Sequence, residues 1–303
     1  MDYAALAVLA LLVAASACWP LLRASSKRRK ALKAQALQLP EHHRPRYRQS
    51  LAGDPLAFPL AMSSGYALCR GADLDAFLFP DPEEERIILA EAWGIFDDED
   101  ALQEIWSLLS HGHRSVWQQA RDLVETGGTP LAQHRNALGK QARTSDEARE
   151  QLLSLRRLQR NERGVLELDF LAWDLSRAVM VARSAATCGY LDLRIAQDVA
   201  LQAASYAQQT YGSWDEFVNA FDTARWFWRA QQDNALDDAH DAHRTEVLTG
   251  ADGPFAQVDF AAPIPDSQLL LLEAAEQLGL PLRALEEDRD WQRALVAAAR
   301  SRT

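Results

Sequence analysis

The chain has 303 residues, enough for one substantial hydrophobic core or two modest ones. Its 32 Lys and Arg against 43 Asp and Glu give a net charge of -11, split into +7 over residues 1–50 and -18 over the rest, which argues against nonspecific nucleic-acid binding by the body of the protein. Cys18, Cys69 and Cys188 lack C-x-x-C spacing, so neither a disulfide framework nor a cysteine zinc site is indicated.

From Tyr3 to Leu22 the chain carries no charge, and Ser16 is its one clearly polar side chain. At about 1.5 Å per residue this makes roughly 30 Å of helix, the hydrocarbon thickness of a bilayer. Trp19 and Pro20 lie near one end; Arg23 and the run Lys27, Arg28, Arg29, Lys30 follow, while only Asp2 precedes. The positive-inside rule then predicts an N-terminus outside and the remainder in the cytoplasm. Ala15-Ser16-Ala17 before Cys18 resembles a signal-peptidase or lipoprotein site, but a signal peptide carries its basic residues ahead of the apolar stretch. The expectation is a single-pass protein of the bacterial inner membrane, touching the bilayer through residues 3–22, with basic residues beyond able to rest on anionic headgroups.

The expected division is an anchor at 1–22, a basic juxtamembrane segment and linker at 23–55, a helical domain at 56–235, and a polar linker with C-terminal helices at 236–303. The Pro-, Gly- and Arg-rich stretch from Glu41 to Pro59 reads as the linker. Asp97 or Asp98 can cap a helix carrying Leu102, Ile105, Trp106 and Leu109 at three- and four-residue spacing. Val116, Trp117, Ala120 and Leu123 form a short amphipathic run ended by Glu125-Thr126-Gly127-Gly128. Thr144 and Glu147 stand in capping-box spacing ahead of a charged helix to Arg163. Apolar residues from Val165 to Ala182 predict a buried helix stopped by Gly189. A second helix runs from about Asp192 to Tyr211, and Ser213 with Glu216 boxes the start of a third, rich in aromatics. Beyond Gln232 the chain turns polar, with at most a short strand near Phe255–Phe260; two further helices follow, about Ser267–Leu278 and Leu282–Arg302. Strand alternation is nowhere sustained, so the predicted class is all-α.

Four polar residues draw attention. His113 and Arg114 follow an amphipathic helix, where they can complement its C-terminal dipole or bind an anion. Asp174 and Arg177, amid apolar neighbours and with Trp173 four residues before Arg177, are expected to form a buried ion pair or the floor of a polar site. Trp214, Phe227 and Trp228 form a candidate aromatic face. His240 and His243, with Asp237, Asp238 and Asp241, have ligand chemistry for a divalent metal but no general-base pattern, and a solvated acidic stretch is the plainer reading. No cofactor fingerprint occurs.

Trp93-Gly94-Ile95, Gly112-His113-Arg114, Asp174 with Arg177, Gly189-Tyr190, and Ser213-Trp214 followed by Phe227-Trp228 together resemble the bacterial domain of unknown function 1266 over about residues 56–230. The resemblance implies a helical domain without an assigned role and carries over no catalytic residues. Without a nucleophile-base pattern, protein binding or scaffolding, of the kind an immunity protein or chaperone performs, is the expected role. The alternative is an enzyme on a small anionic substrate using His113, Arg114, Asp174 and Arg177.

Overall fold

A computed structural model describes residues 44–230 and 235–280, and the described residues form helices joined by short turns, with no strand. In chain order the helices are α1 (Ala57–Met62), α2 (Ser64–Cys69), α3 (Pro82–Ile88), α4 (Asp98–Ser110), α5 (Arg114–Thr126), α6 (Gly128–Gln141), α7 (Asp146–Gln159), α8 (Leu171–Cys188), α9 (Leu193–Thr210), α10 (Trp214–Trp228), α11 (Ala235–Thr249), α12 (Pro254–Gln257) and α13 (Leu270–Gln277). The predicted anchor and the predicted helix from Leu282 lie outside the described residues. Among the described residues no helix is long and apolar enough to cross a membrane.

Helix α8 is the axis of the fold, with α3, α4, α9 and α10 packed around it. From Leu171 to Ala185 every residue of α8 is buried except Arg177. Helices bind it because small residues, Ala172, Ala178, Ala182 and Ala185, meet Ala196, Ala200, Ala203 and Ala204 of α9 in one continuous core, where close approach of the two backbones maximises dispersion contacts. A second core of Trp117, Leu158, Val165, Phe170, Trp173, Trp226 and Phe227 joins α5, α7, α8 and α10. The α6–α7 pair has a small core of its own around Leu138, Ala148 and Leu155.

Several boundaries differ from the sequence reading for physical reasons. Thr144 is not the cap of α7; Ser145 is, accepting from the Ala148 N–H. The helix expected from Val165 begins at Leu171, because Asn161 and Arg163 take left-handed backbone (φ +48° and +57°) and Asp169 caps the Leu171 N–H. Gly127 and Gly128 do not end helical structure but reverse the chain, both at positive φ, into α6, whose first turn tolerates Pro130. The Asp-rich stretch after Gln232 is not a linker: α11 forms there because Asp241 is met by Arg225, Arg229 and Arg244, and Asp238 by Arg163 and Arg229. In place of the expected strand at Phe255–Phe260 stands the short α12, with Val258 and Phe260 in the main core. Arg44–Pro59 is not a free linker either: Leu51 is fully buried, the Leu74 N–H donates to the Arg46 carbonyl, and Asp75 accepts from the Arg48 and Gln49 N–H groups.

Candidate functional site

The turn between α4 and α5 and the first half of α8 build one polar constellation. Asp174, wholly buried, accepts from the backbone N–H of His113 (2.9 Å) and of Arg114 (3.1 Å), from the Arg114 guanidinium (3.1 Å) and from Nδ1 of His113 (3.2 Å). It therefore satisfies free N–H groups at the start of α5 from a different helix. The same guanidinium donates to the carbonyls of Leu108 and Leu109, closing the C-terminal end of α4. Gly112 completes the turn at φ +49°, and a Cβ there would stand 2.1 Å from an Asp174 oxygen. Gly112, His113, Arg114 and Asp174 thus clasp three helices together. The expected Asp174–Arg177 pair does not form: the partners of Asp174 are Arg114 and His113.

His113 is the hinge between this clasp and the surface. A guanidinium nitrogen of Arg177 stands 3.0 Å from Nδ1 and 2.9 Å from Nε2, and a proton on Nδ1 answers Asp174 and leaves Nε2 to accept from Arg177. Burial and then Arg177 push its pKa down to about 4, against the pull of Asp174. The imidazole is neutral near pH 7, and its edge meets Trp228 with ring centroids 4.3 Å apart. Asp174 stays below the ordinary carboxylate range: burial opposes this, but His113 and Arg114 outweigh it.

Arg177 has a different environment. Its guanidinium lies between the rings of Trp93 (4.3 Å) and Trp173 (4.9 Å). Trp93 reaches it because the chain after α3 widens into a π-helical turn, Leu89–Trp93, closed by Gly94 at φ +70°. Beyond neutral His113, no described residue gives Arg177 an ion pair or hydrogen bond. The other arginines of the interior are matched: Arg70 pairs with Glu85, Arg183 donates to Ser63 and the carbonyls of Ala76 and Phe77, and Arg157 donates to the Trp226 carbonyl. Two further donors near Arg177 have no acceptor among the described residues, Trp173 Nε1 on the ring it covers and the Tyr66 hydroxyl. Burial raises the Tyr66 pKa, and Arg177 is the strongest of the cations opposing that rise.

The other sequence candidates disperse. Trp214 is buried beside Phe58 and Phe260, its Nε1 donating to the Val258 carbonyl, while Phe227 packs on Phe170 in the second core; these do not form one exposed face, and only Trp228 borders the site. His240 and His243 lie on α11, whose Asp237, Asp238 and Asp241 face arginines, and the described residues hold no group of three or more His, Cys, Asp or Glu suited to a metal. Tyr66 carried no signal in the sequence, because it comes near Arg177 by tertiary packing alone; the Trp173–Arg177 spacing of four was visible.

An all-helical domain centred on a buried axis, with one clasped carboxylate and one arginine that has no ion pair among the described residues, is the class these features define. The family described as "Protein of unknown function (DUF1266)" matches residues 88–260, more than half of the chain, and the chain belongs to that family. The matched stretch extends through α11 and α12, as the packing does. No curated protein and no solved structure matches the chain.

Proposed function

We propose that the domain is a binding module for a small carboxylate or phosphate and that Arg177 is its principal contact. The observation that carries this reading is that Arg177 alone breaks the buried surface of α8 up to Ala185 and has no acidic partner among the described residues. A guanidinium held against two indoles is oriented in advance, so less side-chain entropy is lost when an oxyanion docks. Trp173 Nε1 and the Tyr66 hydroxyl add donors to the same neighbourhood. Binding is favoured over chemistry because Nε2 of His113, the atom that a general base would use, is covered by Arg177.

The place of this module at the cytoplasmic face of a membrane rests on the apolar run Tyr3–Leu22 and the basic residues after it. Protease added to intact spheroplasts should spare the C-terminal domain; its digestion from outside sinks the topology. Calorimetric titration of the full-length protein with acetate and with phosphate tests the site. At least one should bind the parent, and Arg177→Gln should weaken that binding by about tenfold or more, the worth of a charge-assisted hydrogen bond. Undiminished binding in Arg177→Gln removes the proposal, and a stoichiometric protein retained by the parent but not by this variant would redirect it to a protein partner.

A further inference from the structure

The α6–α7 pair carries an open cleft of about 250 Å³. Arg149, Leu152 and Arg156 stand at three- and four-residue steps on one face of α7 and line it with Leu153, and Arg143 joins them from the turn after α6. Arg149 is anchored, donating to the Ala142 carbonyl (2.8 Å) and pairing with Asp146. The guanidinium groups of Arg143 and Arg156 are exposed and make no hydrogen bond or ion pair with any described residue. The positive charge is local: residues 128–160 hold seven Lys and Arg against three Asp and Glu, in a body that is strongly acidic as a whole. Gly139 leaves the α6 wall of the cleft low. It lies inside the helix, where glycine is disfavoured, its backbone is not left-handed, and a Cβ there would meet nothing within 4 Å, so packing does not require the missing side chain.

We propose that this cleft binds a phosphate monoester, with its dianionic head on Arg143 and Arg156 and its first carbons against Leu152 and Leu153. The two guanidinium charges that the fold leaves unanswered match the charge of a phosphate monoester, close to -2 near pH 7; a carboxylate or a phosphodiester answers only one. The forked donors of arginine suit phosphate oxygens. The volume, just below the roughly 300 Å³ at which ligand pockets begin, takes a head group rather than a whole nucleotide cofactor. The site is independent of Arg177, since α6, α7 and the turn between them build it alone, whereas Arg177 lies on α8 between Trp93 and Trp173.

The test is calorimetric titration of the full-length protein and of its Arg177→Gln variant, which lacks the other anion contact, with glycerol 3-phosphate and dimethyl phosphate. In both proteins glycerol 3-phosphate should bind about tenfold or more tighter than the singly charged diester. Adding Arg143→Gln and Arg156→Gln together should weaken it about tenfold or more, and Gly139→Leu, which fills the cleft without removing a charge, should weaken it as well. None of these three changes should lower the unfolding midpoint, because no described contact is lost. Dihexanoyl phosphatidic acid separates two sources of the same head group: affinity about tenfold above that of glycerol 3-phosphate assigns a membrane lipid, and equal affinity assigns a soluble ester. If glycerol 3-phosphate fails to bind, or the diester binds as tightly, or the Arg143 and Arg156 changes leave affinity as it was, the proposal falls. If binding seen in the parent vanishes with Arg177→Gln alone, the cleft is not the site and the anion reading of Arg177 stands.

Discussion

Asp174 and Arg177 occupy the same helix three residues apart, with opposite surroundings. Asp174 is sealed from solvent and receives donors from two backbone N–H groups, a guanidinium and an imidazole. Arg177 reaches the surface between two tryptophans and receives no acidic partner. A buried charge with every bonding position met holds elements in register, and removing one partner leaves the others uncompensated. Arg177 is only partly exposed, and burial lowers the pKa of its guanidinium; without an acidic partner to anchor it, its geometry is free to serve a ligand. The two regions communicate through His113, which touches both.

The sharpest way to break this contrast is to remove the carboxylate. Asp174→Ala should cost roughly 3 to 5 kcal/mol, because it strands the buried Arg114 cation and the first N–H groups of α5; denaturant unfolding measures it, and a parent-like midpoint would mean that the clasp holds nothing together. Gly112→Ala should follow at roughly 3 kcal/mol, since the new methyl meets both a left-handed backbone and the Asp174 oxygen.

Acid should act next. His113 has its pKa lowered from an ordinary 6.5 to about 4, so the unfolded chain binds more protons between those values and stability is lost as pH falls from 6.5 through 4. With the side chain 21% exposed, the loss should be about 2 kcal/mol, less than the roughly 3 kcal/mol that a fully shielded shift of this size implies. In His113→Gln this part of the slope should vanish; a parent-like acid slope in that variant assigns the titration to another group. The smallest effect belongs to Arg177→Gln, which should change unfolding by less than about 1 kcal/mol while weakening anion binding about tenfold or more. A loss near that of Asp174→Ala would erase the distinction between the two regions.

Much of the architecture could be read from residue order. Asp97, Asp192 and Ser213 cap their helices as capping chemistry requires, and Gly189 ends α8 in left-handed backbone at φ +78°. Helix α6 and helix α11 were not legible. The first follows a Gly-Gly reversal that looks like a terminator, and the second becomes ordered only when arginines from α10, from α11 itself and from the turn before α8 neutralise its aspartates. At the site, His113, Arg114, Asp174 and Arg177 stood out as polar residues in apolar surroundings, but their pairing did not. Spacing on one helix suggested Asp174 with Arg177, whereas the α4–α5 turn delivers Arg114 and His113 to Asp174 from about sixty positions away.

The sequence by itself determined the helical class, most helix ends and the family motifs, because periodicity and capping are local and a residue carries them wherever its segment goes. Which charges hold the fold and which is left without an acidic partner was decided only in three dimensions. Burial and hydrogen-bond partnership depend on residues remote in the chain: the α4–α5 turn closes Asp174 in on α8, while Trp93 of the π-turn and Trp173 flank Arg177.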